Sequence, residues 1–128
     1  MGKQAMQEAI QGHNVIDAMH RKGLGWVDFI QGTPGDGPPE FDHGGGITHI
    51  RAKRDYENSQ DSRNPGGVET LMALPEVIAK GKVMPSRGRD KVAIEHAGFL
   101  VVLSKAPATR TNPVQHWLLT GFKKGRSR

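Results

Sequence analysis

The chain has 128 residues, enough for one domain with one core, and its apolar (35%) and aromatic (5%) content makes that core modest. It contains no cysteine, which excludes disulfides, thiolate metal sites and cysteine nucleophiles, and no apolar run approaches the length of a membrane span. The net charge of +5 is uneven: residues 1–64 carry 7 Lys and Arg against 9 Asp and Glu, whereas residues 65–128 carry 11 against 4. The second half therefore offers a basic surface suited to a polyanion.

An N-terminal helix is predicted within residues 1–25. Met6, Ile10, His13, Ile16 and Met19 recur at steps of three and four, and Gly23 and Gly25 stop the pattern. Trp26–Ile30 has strand-type residues. Residues 32–46 hold six Gly and three Pro and read as a loop, of a length usually functional or disordered. Ile47–Asp55 reads as a short helix or turn, and Tyr56–Gly66 as a polar, mobile segment. Val68–Lys80 has helical spacing through Val68, Leu71, Met72, Val77 and Ile78, with Pro75 expected to kink or split it and Gly81 to end it. Lys91–His96 and Phe99–Ser104 flank Ala97-Gly98 as a β-hairpin. After a loop with Pro107 and Pro113, Gln115–Phe122 reads as a third strand, and residues 124–128 form a basic tail. Helices first and strands last indicate a single α+β domain with helices packed on a small twisted antiparallel sheet.

Six histidines are present, at 13, 20, 43, 49, 96 and 116, and no pair has the spacing of a helical zinc motif. His49 stands out. It ends Gly44-Gly45-Gly46-Ile47-Thr48-His49, and Arg51, Lys53 and Arg54 follow within five residues. A glycine run lets backbone approach a phosphate and can form an anion nest of N–H groups. An imidazole among cations moves protons near neutral pH while the cations hold a phosphate. The ordinary alternative is a surface helix start with a few charges. Ser104 and Thr120 each end a strand with a hydroxyl able to bond a phosphate oxygen. Trp117 can stack a base or fill the core, and His116 and Trp117 must point to opposite faces of one strand.

The ordered set Val27-Asp28-Phe29-Ile30-Gln31-Gly32-Thr33-Pro34-Gly35, Gly46-Ile47-Thr48-His49-Ile50, Leu74-Pro75-Glu76-Val77-Ile78-Ala79-Lys80-Gly81, Val101-Val102-Leu103-Ser104 and Trp117-Leu118-Leu119-Thr120-Gly121-Phe122 resembles the phage and polymorphic-toxin branch of the barnase/EndoU/colicin/RelE-like nuclease superfamily. The resemblance spans about residues 26–123. It implies a barnase-like fold and an endoribonuclease toxin, with RNA, often transfer RNA, as substrate. It also implies cleavage by attack of the ribose 2′-OH without a metal or other cofactor. By position it assigns catalysis to His49, Lys53 and Thr120. Arg51 joins them as a phosphate-holding cation, with Arg54, Ser104, His116 and Trp117 as RNA-binding residues. A toxin of this kind implies an acidic immunity protein as partner and action in the bacterial cytoplasm, with delivery as the C-terminal domain of a secreted effector or phage protein. One departure stands out: the family pattern expects a second histidine near position 54, where this chain has Arg54. That leaves two readings open, one imidazole working with several cations, or a phage structural or nucleic-acid-binding domain that keeps the fold without turnover.

Overall fold

The computed structural model describes residues 2–85, 88, 90–105 and 116–125. In chain order the elements are α1 (Gly2–Ile10), β1 (Val15–Arg21), β2 (Gly25–Phe29), α2 (Ile47–Gln60), α3 (Gly67–Lys80), β3 (Lys82–Val83), β4 (Lys91–His96), β5 (Phe99–Lys105) and β6 (His116–Lys123). The strands form one sheet in the order β1-β2-β6-β5-β4-β3. The fold is α+β as expected, and barnase-like in its helices packed on a curled sheet. The sheet is mixed rather than wholly antiparallel, because β2 and β6 run parallel through Val27/His116 and Asp28/Trp117.

The predicted N-terminal helix is corrected. Only Gly2–Ile10 is helical, and Val15–Arg21 is a strand paired antiparallel with β2. Gly12, at φ 106°, turns the chain out of the helix. Asn14 then accepts the Gln31 N–H (2.8 Å) and ties the turn to the end of β2. Met6 and Met19 are both buried, but from different elements, and Ile16 is 50% exposed. The apolar spacing was therefore coincidental across a turn. β1 also carries a register shift between Val15 and Met19, where Asp17 sits at φ 53° and gives its N–H to the buried Asp28 carboxylate (2.8 Å).

Helix α2 extends to Gln60, so much of the segment expected to be mobile is helical. Helix α3 runs through Pro75 as one element, with that ring buried where the start of α1 packs against it. Leu71, Leu74, Val77 and Ile78 of α3 meet Ile94, Val101, Leu103 and Leu118 of the sheet in the main core. Gly121 makes this close approach possible, since a Cβ there would lie 2.6 Å from Leu74 Cδ1. The expected hairpin is present as β4 and β5, with Ala97 (φ 51°) and Gly98 (φ 85°) in its turn.

The face away from the main core holds a second, smaller cluster of Ala93, Leu100 and Val102, with Leu119, Phe122 and Met84 against it. Strand register places three rows of side chains on this open face: Lys91–Ser104–Trp117, Ala93–Val102–Thr120 and Glu95–Leu100–Phe122. An irregularity in the β5–β6 pairing leaves Leu119 without a partner residue between Leu118 and Thr120.

Strand β2 pairs with β6 over two residues only, and the edge of β6 beyond them is taken up by α2. Gly46 N–H donates to the Leu119 carbonyl (2.8 Å), and Arg54 Nη1 donates to the Gly121 carbonyl (2.9 Å). Arg54 is 2% exposed, its Nε lies 3.1 Å from Glu57 Oε1, and its guanidinium lies over the Phe122 ring at 5.6 Å. The sequence reading of Arg54 as an RNA contact is thereby corrected: its charge is buried between helix and sheet. Removing one partner of a buried pair costs about 3–5 kcal/mol. Arg54→Met is expected to lower unfolding free energy by that order in urea titration, and a loss under about 1 kcal/mol would contradict this anchoring role.

Candidate active site

The loop before α2 is built rather than loose. Thr33 and Gly45 exchange two backbone hydrogen bonds (3.1 and 3.0 Å), Asp36 N–H donates to the Asp42 carbonyl (2.9 Å), and Phe41 N–H donates to the Gly37 carbonyl (2.9 Å). The buried Phe41 ring meets Tyr56 of α2 edge-on at 5.9 Å. The glycine run does not form the expected anion nest. The N–H groups of Gly44, Gly45, Gly46, Ile47 and Thr48 donate to the carbonyls of Phe41, Thr33, Leu119, Ile30 and Gln31 in turn. These glycines serve close packing instead. Gly46 sits at φ 92°, and a Cβ at Gly45 would lie 2.8 Å from Leu119 Cδ1 and 3.3 Å from the Trp117 ring.

His49 lies in the first turn of α2, only 8% exposed, with Nδ1 3.1 Å from the Pro34 carbonyl. Burial holds its pKa below the usual 6.5. The Pro34 hydrogen bond opposes that shift, and the charges of Lys53 and Arg54 add to it. The ring is therefore neutral at neutral pH. Lys53, half-buried, follows one turn later on the same side of α2. Thr120 is half-buried on the open face and lies between Leu119 and Gly121, whose carbonyls α2 holds, so it belongs to the stretch of β6 along which the helix carrying His49 and Lys53 is laid. Ser104 and Trp117, cross-strand partners and both half-buried, occupy the next row of that face.

Two further assignments fail on geometry. Arg51 points to the other side of α2, where Nη1 donates to the Ile10 carbonyl at the end of α1 (3.2 Å). His116 alternates with Trp117, faces the helix side, and is buried at 5% exposure. His96 also lies on the helix-facing side of β4, so neither histidine can act beside Thr120. Lys91 was missed by sequence reasoning. It shares the row of Ser104 and Trp117, is exposed, and has no ion-pair partner among the described residues. Only strand register could have found it. His43 lies in the loop, its Nδ1 2.6 Å from Asp36 Oδ2; that bond first, and the carboxylate charge second, raise its pKa. Among the described residues no group of three His, Cys, Asp or Glu is placed to hold a metal ion, and no helix is long and apolar enough to cross a membrane.

A neutral buried imidazole beside a lysine thus sits on the helix that flanks an α+β sheet whose open face is lined by hydroxyls and an indole. The chain matches the family described as phage-Barnase-EndoU-ColicinE5/D-RelE like nuclease1 over residues 18–128, and it belongs to that family. The match leaves α1 outside it. No curated protein and no solved structure matches the chain.

The two loop-associated histidines are expected to titrate on opposite sides of 6.5, His43 above and His49 below, in an NMR pH series. Lys53→Met should move the His49 midpoint upward. A folded pKa below the unfolded value means the folded chain binds fewer protons. The stability linked to His49 is therefore full above 6.5 and lost as pH falls through its folded pKa. A His49 midpoint at or above 6.5 would contradict the buried neutral ring.

Proposed function

We propose that this nuclease is a metal-independent endoribonuclease of the toxin type. The observation that carries this reading is His49, a buried imidazole kept neutral beside Lys53 on a helix that is hydrogen-bonded along the stretch of β6 holding Thr120. His49 takes the proton of a ribose 2′-OH, whose oxygen attacks the adjacent phosphorus. The bond to the 5′-oxygen breaks, leaving a 2′,3′-cyclic phosphate and a 5′-OH. Lys53 offsets charge on the phosphorane-like transition state and has a proton for the leaving oxygen, and Thr120 orients a non-bridging oxygen. Transfer RNA is the proposed substrate class, and the bacterial cytoplasm the proposed place of action.

One observation favours a second reading, a nucleic-acid-binding domain without turnover. Position 54, where the family resemblance expects a histidine, is occupied by an arginine used up in packing. Incubation of the purified domain with cellular RNA in excess EDTA, followed by sequencing of RNA ends, separates the two. Cleavage to cyclic-phosphate ends supports catalysis, and intact RNA supports binding alone. His49→Ala is expected to cost about 10²–10⁴-fold in rate with little change in RNA affinity, and Thr120→Val about 10-fold or more. Full activity in His49→Ala, or cleavage abolished by EDTA and restored by a divalent ion, would defeat the scheme.

The RNA strand is proposed to cross the open face along Trp117, Ser104 and Lys91, the indole stacking a base and the lysine meeting a phosphate. The net charge of +5 suits an acidic immunity protein as partner, a reading that growth rescue on co-expression with the neighbouring reading frame tests. Affinity for single-stranded RNA should fall with salt, and Lys91→Ala should reduce the log–log slope by about 0.7. An unchanged slope would remove Lys91 from the interface.

A further inference from the structure

We infer that the loop of residues 32–46 acts as a tautomer clamp: it holds the proton of neutral His49 on Nδ1, leaves the lone pair on Nε2, and so commits this histidine to the role of base, with Gly44 as the positioning residue. The inference rests on the reading of His49 as the proton-transfer group and adds which nitrogen works and in which step.

A backbone carbonyl can only accept a hydrogen bond, so the 3.1 Å contact between Nδ1 and the Pro34 oxygen requires a proton on Nδ1. In a neutral imidazole the other nitrogen then has none. Two residues ten apart in sequence meet at this ring, and the loop's own bonds bring them there. The Thr33–Gly45 pair closes its neck, the Asp36–Asp42 bond narrows its middle, and Phe41 seats it on Tyr56. Gly44 lies so close that a Cβ on it would overlap both His49 Nδ1 and the Pro34 oxygen. Its φ is not in the left-handed region, so glycine is required here for space and not for backbone conformation. Any side chain at 44 must push the ring and the carbonyl apart.

The chemistry follows from the tautomer. Nε2 accepts the 2′-OH proton as the 2′-oxygen bonds to phosphorus, and the resulting imidazolium keeps its Nδ1–H on Pro34. The neutral resting ring has no proton on Nε2 to give to the departing 5′-oxygen. The proton Nε2 gains lies on the side of the attacking 2′-oxygen, and in an in-line displacement the 5′-oxygen departs from the opposite side of phosphorus, so its proton comes from the Lys53 ammonium or from solvent water.

Long-range ¹H–¹⁵N NMR of the whole chain, at a pH where His49 is neutral, reads the tautomer directly. The expected result is a protonated Nδ1 and an unprotonated Nε2; a protonated Nε2 overturns the inference even if RNA is cleaved. Gly44→Ala should shift His49 toward the Nε2–H form and lower kcat by about 10²-fold, the scale of an ångström-sized misplacement, with RNA affinity unchanged. Glu40→Ala, an exposed position on the same loop, should leave both tautomer and rate as they were. If Gly44→Ala keeps both the tautomer and the rate, the positioning role of Gly44 is refuted. If Gly44→Ala fails to fold, the spectrum of the unaltered chain still decides. A chain that cuts no RNA but shows the Nδ1–H tautomer refutes the proposed function and leaves the clamp standing.

Discussion

Strand β6 stays paired with β5 on one edge, but on the other it keeps β2 as a neighbour for two residue pairs only, and the carbonyls of Leu119 and Gly121 on that edge must find donors elsewhere. A buried carbonyl without a partner costs on the order of 1–3 kcal/mol. Helix α2 supplies both donors, the Gly46 N–H at its start and the Arg54 guanidinium two turns on. Those two bonds set the helix alongside β6 in one register. His49 and Lys53 lie between them in sequence, and Thr120 lies between the two carbonyls they satisfy. The candidate site is thus a by-product of how the edge of one strand is closed.

The same closure explains why the glycine run is so dense. Three consecutive glycines let the chain pass under Trp117 and Leu119, against the His49 ring, and beneath the end of β2. Each approach spends a backbone N–H on a carbonyl of the protein, leaving none of those from Gly44 to Thr48 for a phosphate. Positive charge at the site must then come from side chains. With Arg54 buried and Arg51 turned toward α1, Lys53 is the residue of the Arg51–Arg54 cluster that remains beside His49. Burial of the imidazole next to these charges disfavours its protonated form.

Two departures from the expected fold share one cause. The first 22 residues show helical spacing, yet the second half of that stretch is a strand, because pairing with β2 satisfies its backbone and Gly12 and Asn14 provide the turn. The expected antiparallel sheet contains one parallel pair, because a strand formed early in the chain is joined by one formed at its end. Both are decided by partners distant in sequence, to which a periodic pattern within one segment is blind.

The sequence by itself determined the elements whose signal is local. Helix α3 follows from its apolar spacing, the β4–β5 hairpin from its β-rich runs about Ala97-Gly98, and the pairing of His49 with Lys53 from their separation of one helical turn. Family membership was legible in the order of short motifs along residues 26–123, and the match over residues 18–128 agrees. Only the tertiary structure decided which cations are available. Arg51, Lys53 and Arg54 look alike in sequence, but one caps α1, one stands beside His49 and one is buried under Phe122. It also placed Lys91 with Ser104 and Trp117, and turned His116 away from them. The physical reason is that a side chain's face follows from strand register and helix rotation. Those are set by hydrogen bonds between segments as far apart as Arg54 and Gly121, and such bonds leave no trace in the local spacing of residues.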